Sequence, residues 1–188
     1  MKKNRGITMV ALVITIVVLL IIAGISIGAG NNAIKNSKLE NLKTNMLLIE
    51  AKAKEQIENA KFRLGTNFNN VTGEEKLNRI NTAKVEFKGD EIVDGITFNN
   101  NAQITKEEIK KDNAKNIYYY KLSTQHLTDM GLKNVKSDKK NGYYIVKYDL
   151  SDLSDLKNSR IEIYNTKGFD DEGNVVYSLT DIKQVRLK

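Results

Sequence analysis

The 188-residue chain has no cysteine, no proline, no tryptophan and a single histidine. Without cysteine it can form neither a disulfide framework nor a zinc–thiolate site, and it has no thiol nucleophile. The lone His126 falls on the face of a predicted helix with no catalytic or metal-binding partners near it in sequence, which favours a solvated or capping role. A glycine-rich phosphate-binding loop is also missing. These absences argue against an enzyme and against a resident cofactor or metal.

Charge and composition point to an exported domain rather than to a nucleic-acid-binding protein. The formal net charge is +7, but it falls to +4 without the three cations at the amino terminus, so the basic character is weak support for nucleic-acid binding. Richness in Lys, Asn and Ile, combined with the absence of Pro and Trp, is typical of AT-rich coding sequence. The composition therefore indicates a low-GC Gram-positive source.

The chain begins with a short basic leader followed by a long apolar run. Lys2, Lys3 and Arg5 precede Gly6, and the next charge is at Lys35. The 24 residues from 7 to 30 would cover roughly 36 Å as a helix, more than the roughly 30 Å of bilayer hydrocarbon. The positive-inside tendency places the leader in the cytoplasm and the rest of the chain outside the cell membrane.

Three interpretations of this segment are open at this point. The first is a plain single-pass membrane anchor, and the second is a secretory signal peptide cleaved near Gly28, Ala29 and Gly30. The third is a short leader that is removed from an apolar helix by a dedicated peptidase. The signal-peptide interpretation is disfavoured because residues 7–22 already form 16 positions without a charge, slightly longer than the usual apolar region of such peptides.

The third interpretation rests on the order of basic leader, glycine and apolar helix. The sequence KKNRGITMVALVITIVVLLIIAG resembles the N-terminus of type IV prepilins and pseudopilins, in which a membrane peptidase cuts after the leader glycine. The resemblance implies a cut between Gly6 and Ile7 and methylation of the new amino terminus on Ile7. It also implies a structural subunit of a type IV pilus-like or secretion-type filament, with the prepilin peptidase, other pilin subunits and, before assembly, membrane lipid as partners.

One position departs from the pattern of this family. The family usually carries Glu at the fifth position after the cut, where this chain has Ala11. In the family that carboxylate is thought to neutralise a neighbour's amino terminus inside the apolar filament core, where an unpaired charge is costly. Ala11 therefore indicates either a different neutralisation or a minor or tip subunit. The alternative is a single-pass membrane-tethered extracellular binding domain that does not polymerise.

Two glycines in the apolar run suggest a helix-packing face. Gly24 and Gly28 form a small-xxx-small pattern that allows close approach of helices in lipid. A break in the helix at Gly30, Asn31 and Asn32 is the competing interpretation.

The segment 31–65 is predicted to continue the helix, with Gly65 as its C-cap. Apolar residues recur there at spacings of three and four while Lys and Glu fill the opposite face, which predicts an amphipathic helix lying against a sheet. The apolar positions are Leu39, Leu42, Met46, Ile49, Ala53, Ile57, Ala60 and Leu64.

The remainder, 66–188, is predicted to be an extracellular α+β domain. The expected fold is a long N-terminal helix, with a membrane half and an amphipathic half, packed on a small antiparallel β-sheet. Helices are expected at 73–81, after a Thr105–Glu108 capping box, and at 123–131 between Ser123 and Gly131. Strands are expected at 83–89 and 94–99 around a turn at Gly89 and Asp90, and at 116–122, 142–150, 160–166 and 174–179.

Three further patterns carry weaker functional alternatives. Asp149, Asp152 and Asp155 are spaced for one acidic face, which favours solvation over a calcium site because calcium wants six or more oxygens. The stretch 170–173 lacks calcium-loop spacing and predicts a hairpin turn. A lysine-rich loop before two tyrosines has the mix that single-stranded DNA favours, although a solvated loop is the better interpretation; its residues are Lys133, Lys136, Lys139, Lys140, Tyr143 and Tyr144.

Overall fold

The structure is a computed structural model that describes the backbone at residues 5–65, 67–151 and 161–186. Side chains are described at Ile16 and, within those ranges, from residue 32 onward, Asn69 excepted. The chain divides into two compact units, Met1–Asn41 and Leu42–Lys188.

The first element is the helix α1, Arg5–Leu64, which is 60 residues long. It ends at Gly65, whose φ of 74° is the left-handed conformation that glycine adopts at low cost after a helix. The backbone N–H of Gly65 donates to the carbonyl oxygens of Lys61 and Phe62. The predicted continuation of the helix to residue 65 is therefore confirmed.

Five antiparallel strands form the main sheet of the second unit, in the order β1-β4-β5-β6-β7. A separate two-stranded ribbon pairs β2 with β3. The remaining elements in chain order are α2 Gly73–Lys84, β1 Asp90–Glu91, β2 Ile96–Thr97, β3 Gln103–Ile104, α3 Lys106–Asn113, β4 Ile117–Leu122, α4 Thr124–Asp129, β5 Tyr144–Asp149, β6 Ile161–Asp171, β7 Asn174–Ser178 and α5 Leu179–Ile182.

The sheet is covered on both faces because its side chains alternate between them. On one face Tyr148 reaches α1, where its hydroxyl bonds Gln56. On the other face Tyr119 and Ile145 pack in a cluster with Phe98 of the β2–β3 ribbon and Ile109 of α3. The fold class is thus α+β, with the N-terminal helix packed on an antiparallel sheet, as the sequence predicted.

The predicted hairpin of strands 83–89 and 94–99 is wrong. Residues 83 and 84 belong to α2, and the strand β1 occupies Asp90–Glu91, where the turn was expected. Gly89 explains the difference, because a Cβ there would lie 2.7 Å from the carbonyl oxygen of Lys121 in β4. This close approach leads the chain into pairing with β4, and β2 pairs instead with β3.

Helices α2, α3 and α4 and the turn after β6 agree with expectation, although α2 runs three residues beyond its predicted end at 81. The Thr105–Glu108 capping box begins α3, and Ser123 caps α4. Strands β4, β5 and β7 fall within the predicted segments, whereas β6 runs five residues beyond the predicted end at 166 and α5 was not predicted. Glu172 and Gly173, both with positive φ, form the two-residue turn between β6 and β7.

Candidate functional site

The residues predicted to act in processing and assembly all fall within helix α1, where only their backbone is described. Gly6 and Ile7 are in its first turn, and Ala11, Gly24 and Gly28 follow along the same helix. Their side chains lie outside the described residues, as do those of the predicted membrane segment 7–30 apart from Ile16. Among the residues that the structure describes, no helix combines the length and the low polarity needed to cross a bilayer.

The amphipathic part of α1 buries one face as the spacing predicted. Within the second unit the buried apolar positions begin at Met46 and end at Leu64, and Leu42 is half-buried. The other buried members are Ile49, Ala53, Ile57 and Ala60.

The opposite face of α1 is less polar than the sequence suggested. Leu47, Leu48 and Phe62 are exposed there, Phe62 to 88%. At about 100° per residue, these three side chains fall within one sector of roughly 100°, centred opposite the buried stripe. We call Leu47, Leu48 and Phe62 the outer face of α1. Sequence reasoning missed it because Lys and Glu side chains lie between its apolar members.

A buried hydrogen-bond network joins α1 to the sheet. The hydroxyl of Tyr148 donates to Oε1 of Gln56 at 2.6 Å, and the backbone N–H of Lys88 donates to the same oxygen at 3.2 Å. The Tyr148 ring stacks on Phe87 with centroids 3.9 Å apart. Burial raises the pKa of Tyr148 far above its ordinary value, so the phenol remains a neutral donor. The Gln56 oxygen and its two donors are therefore hydrogen-bonded to one another and hold α1 against the sheet.

His126 caps its own helix, which confirms the capping interpretation. Its Nδ1 accepts the backbone N–H of Ser123 at 3.2 Å, and the Ser123 hydroxyl oxygen accepts the backbone N–H of His126. This reciprocal pair satisfies N–H groups that the first turn of a helix leaves unpaired. The imidazole of His126 therefore has a structural role, which is to cap α4.

The acidic patterns form no cation site within the described residues. Asp149 accepts the backbone N–H of Ser151 at 2.8 Å, whereas Asp152 and Asp155 lie outside the described residues. The stretch 170–173 contains the predicted hairpin turn, and Asp170 at the end of β6 accepts the backbone N–H of Gly173. In the described part of the chain, no three His, Asp or Glu side chains are grouped to hold a metal ion.

The lysine-rich loop does not present aromatic rings for stacking. Its four lysines are exposed, but Tyr144 is buried and the Tyr143 ring is covered by the ammonium of Lys121, 3.9 Å from the ring centroid. Base stacking requires an open aromatic face. The geometry favours the solvated-loop interpretation over a single-stranded DNA platform.

A charged cluster joins α3 to the sheet on the face away from α1. The Tyr119 hydroxyl donates to Asp112 Oδ2 at 2.6 Å, and Nζ of Lys147 lies 3.2 Å from the same oxygen. Burial works to raise the pKa of Asp112, but the bonds from Tyr119 and Lys147 outweigh it, so the pKa lies below its ordinary value. Burial, and then the bond to Asp112, raises the pKa of Tyr119.

A cleft lies at the β7 edge of the sheet, and we call it the edge cleft. It has a volume of about 700 Å³ and lies between β3, β7 and the segment after α5. Its lining includes the aromatic residues Phe98, Tyr164 and Tyr177 and the amides Gln103 and Asn174. Its walls come from β3 and β7, which begin at Gln103 and Asn174 and are far apart in the chain, so local sequence patterns gave no signal for it.

Comparison of the chain with protein-family models, with curated protein sequences and with solved structures found no match.

Proposed function

We propose that the chain is a non-enzymatic structural subunit, a pilin or pseudopilin, of an extracellular type IV pilus-like or secretion-type filament. The observation that carries the proposal is the order at the amino terminus: Lys2, Lys3 and Arg5, then Gly6, then an apolar run. In this proposal the run 7–30 is held in the membrane before assembly and lies in the filament core afterwards. The prepilin peptidase and other pilin subunits are its partners, and no cofactor is required.

The continuity of α1 supports this proposal. One helix carries both the apolar run and the amphipathic stripe, from Arg5 to Leu64. A helix with those two parts suits a subunit that leaves a bilayer and packs among copies of itself. The apolar run needs lipid or neighbouring helices around it, whereas the apolar stripe of the amphipathic part is already covered by the sheet.

The outer face of α1 offers a surface for a neighbouring subunit. Large apolar side chains exposed to water are stabilised when a partner covers them, by about 25 cal/mol per Å² of apolar area. Leu47, Leu48 and Phe62 share one side of the helix, and Gly24 and Gly28 provide the close-packing pattern earlier in the same helix.

Ala11 favours a minor or tip subunit within this proposal. A tip subunit has no subunit above it whose amino terminus needs a carboxylate partner, so it can dispense with the Glu that the family usually has. The same residue favours the second candidate function, a membrane-tethered extracellular binding domain that does not polymerise. In both cases the N-terminus is cytoplasmic and the C-terminal domain lies outside the membrane.

Intact mass of the mature protein tests the processing step. We expect a mass lower by residues Met1 to Gly6 and higher by one methyl group, with Ile7 at the amino terminus. Replacing Gly6 with a bulky residue, Gly6→Leu, is expected to leave an uncut precursor in the membrane, because the leader subsite must hold the backbone closely. Normal cleavage of that variant, or a terminus at Asn31, would overturn the proposal.

Quantitative mass spectrometry of sheared surface filaments separates the subunit classes. A minor or tip subunit is expected at low copy relative to the main filament protein. Dominance of this chain would identify a major subunit instead. Its absence from filaments together with abundance in membranes would favour the tethered domain.

A further inference from the structure

The edge cleft has an aromatic side formed by three rings. Phe98 of the β2–β3 ribbon packs against Tyr177 of β7 and Tyr164 of β6, with centroid distances of 4.8 Å and 5.9 Å. The Tyr177 hydroxyl donates to the carbonyl oxygen of Asn99, which fixes the orientation of that ring. Burial raises the pKa of Tyr164 to about 12, so its phenol is neutral near pH 7.

The lining of the edge cleft also includes polar side chains that are free to bind a ligand. Gln103, Asn174 and Gln184 are exposed amides, and Asp171 adds a half-buried carboxylate. Within the described residues, none of these four side chains makes a hydrogen bond to the protein. Each amide offers both a donor and an acceptor, and the carboxylate offers two acceptor oxygens.

The charge of the edge cleft disfavours anionic ligands. Asp171 and Asp181 line it, and none of the described lining residues is Lys or Arg. This composition contrasts with a chain that has 30 basic and 23 acidic residues. A phosphate, a nucleic acid or an acidic peptide would meet two carboxylates here and no cationic side chain among the described lining residues, whereas recognition of such groups uses Arg and Lys.

Size and polarity narrow the ligand further. A volume of about 700 Å³ is within the range of small-molecule sites, roughly 300–1,000 Å³. A wholly apolar ligand would leave the four polar side chains desolvated without partners, which is costly. A ligand that suits this cleft has an apolar face for the rings and neutral groups that both donate and accept hydrogen bonds.

We propose that the edge cleft binds a neutral saccharide, the apolar face of a sugar ring lying against the half-buried ring of Tyr177 and its hydroxyls pairing with Gln103, Asn174 and Asp171. Sugar hydroxyls donate to the carboxylate and both donate to and accept from the amides, and the C–H groups of a pyranose face are apolar. This inference does not rest on the filament proposal, because a tethered domain would present the same cleft.

Saturation-transfer NMR on the full chain tests the inference. The chain is solubilised in lauryldimethylamine oxide, a detergent without a sugar headgroup, and mixed separately with maltohexaose, cellohexaose, chitohexaose and an oligogalacturonate. We expect transfer to the ring protons of at least one neutral hexasaccharide and none to the anionic one. Sedimentation of the chain with the matching insoluble polysaccharide then tells whether the source is a polymer or only the free sugar.

Variants tie binding to the cleft. The double variant Gln103→Ala, Asn174→Ala is expected to weaken binding at least about tenfold, the loss of roughly one good hydrogen-bonded pair, with an unchanged thermal melt. Asn78→Ala, an exposed amide on α2, is the matched control and should bind like the wild type. Failure of the wild-type chain to bind any of the neutral sugars at about 10 mM, or equal binding by the double variant, would overturn the inference.

Discussion

Gln56 is a buried amide on α1 whose side chain forms a hydrogen bond with a side chain of the sheet. It is the one buried amide of α1 among the described residues that does so. Its Oε1 serves two donors, the Tyr148 hydroxyl and the Lys88 N–H. Removing the acceptor strands both donors, whereas removing one donor leaves the acceptor satisfied by the other. The costs of the two changes should therefore differ although both remove the same bond.

We expect Tyr148→Phe to lower the free energy of unfolding by about 1 kcal/mol and Gln56→Leu by about 2–4 kcal/mol. Urea unfolding followed by tyrosine circular dichroism measures both. Gln125→Leu, which removes an exposed amide bonded to Asp129, is the control and should stay within about 0.5 kcal/mol of the wild type. An equal or larger loss from Tyr148→Phe would contradict this account of the junction.

Asp112 makes the stability of the folded chain depend on pH. Because its pKa is lower in the folded chain than in the unfolded chain, its ionised form contributes stability above the ordinary aspartate pKa of about 4. That contribution is lost as the pH falls through the lower, folded value.

Asp112→Asn should therefore lower the melting temperature at pH 7 and have less effect at about pH 2.5. Thermal melts at both pH values measure the difference. Asp129→Asn, an exposed carboxylate bonded by Gln125, is the control and should follow the wild-type pH profile. A constant deficit for Asp112→Asn at both pH values would mean that its charge is not what stabilises the cluster.

At the scale of elements, strand β6 is shaped by one buried asparagine. Asn165 is fully buried, and its Oδ1 accepts the backbone N–H groups of Lys167 and Gly168, where the β6–β7 register shifts. The side chain thus replaces the ladder bonds that a bulge removes. Gly142 lies against this bulge, since a Cβ there would be 2.4 Å from Asn165 Oδ1 and 2.8 Å from the Lys167 backbone nitrogen.

Gly142→Ala is expected to be clearly more destabilising than Gly131→Ala. Both glycines have left-handed backbone, with φ of 85° and 83°, and Ala pays roughly 1–2 kcal/mol for that conformation at either position. Only Gly142 also has neighbours that a Cβ would strike, whereas Gly131 has open space within 4 Å. Denaturation midpoints compare the two variants, and equal losses would show that the bulge yields freely.

The sequence predicted those elements whose cause is local. The stripe of α1 follows from helical spacing, and the starts of α3 and α4 follow from Thr105 and Ser123 with their partners three residues on. Two-residue strands such as β1 leave no alternating pattern, because pairing with β4 decides them. The bulge at Asn165 and the edge cleft depend on distant segments, which no window of neighbouring residues reveals.

At the scale of the whole molecule, the outer face of α1 links the fold to the proposed assembly. Because the Phe62 side chain is 88% exposed, it contributes little to the packing of its own subunit. Changing it should therefore affect association rather than folding. The position is in the last turn of α1, where a lysine is also compatible with the helix dipole.

We expect Phe62→Lys to leave the melting temperature unchanged and to reduce the amount of this chain in sheared filaments. Val93→Lys is the matched control, an exposed apolar residue in the loop between β1 and β2 whose neighbour Asp94 pairs with Lys106 of α3, and it should be incorporated normally. Quantitative mass spectrometry of the filament fraction gives the readout. Normal incorporation of Phe62→Lys would exclude the outer face as a subunit contact.

The hydrogen bond between Gln56 and Tyr148 joins two segments that are synthesised at different times. Tyr148 follows Gln56 by 92 residues, so at roughly 5–20 residues per second α1 is synthesised roughly 5–20 s before the central strand that covers it. Strands β4 to β7 pair with sequential neighbours and can form among themselves. During that interval the apolar stripe of α1 has no sheet to cover it, and a chaperone that shields it would suppress aggregation without altering the final structure.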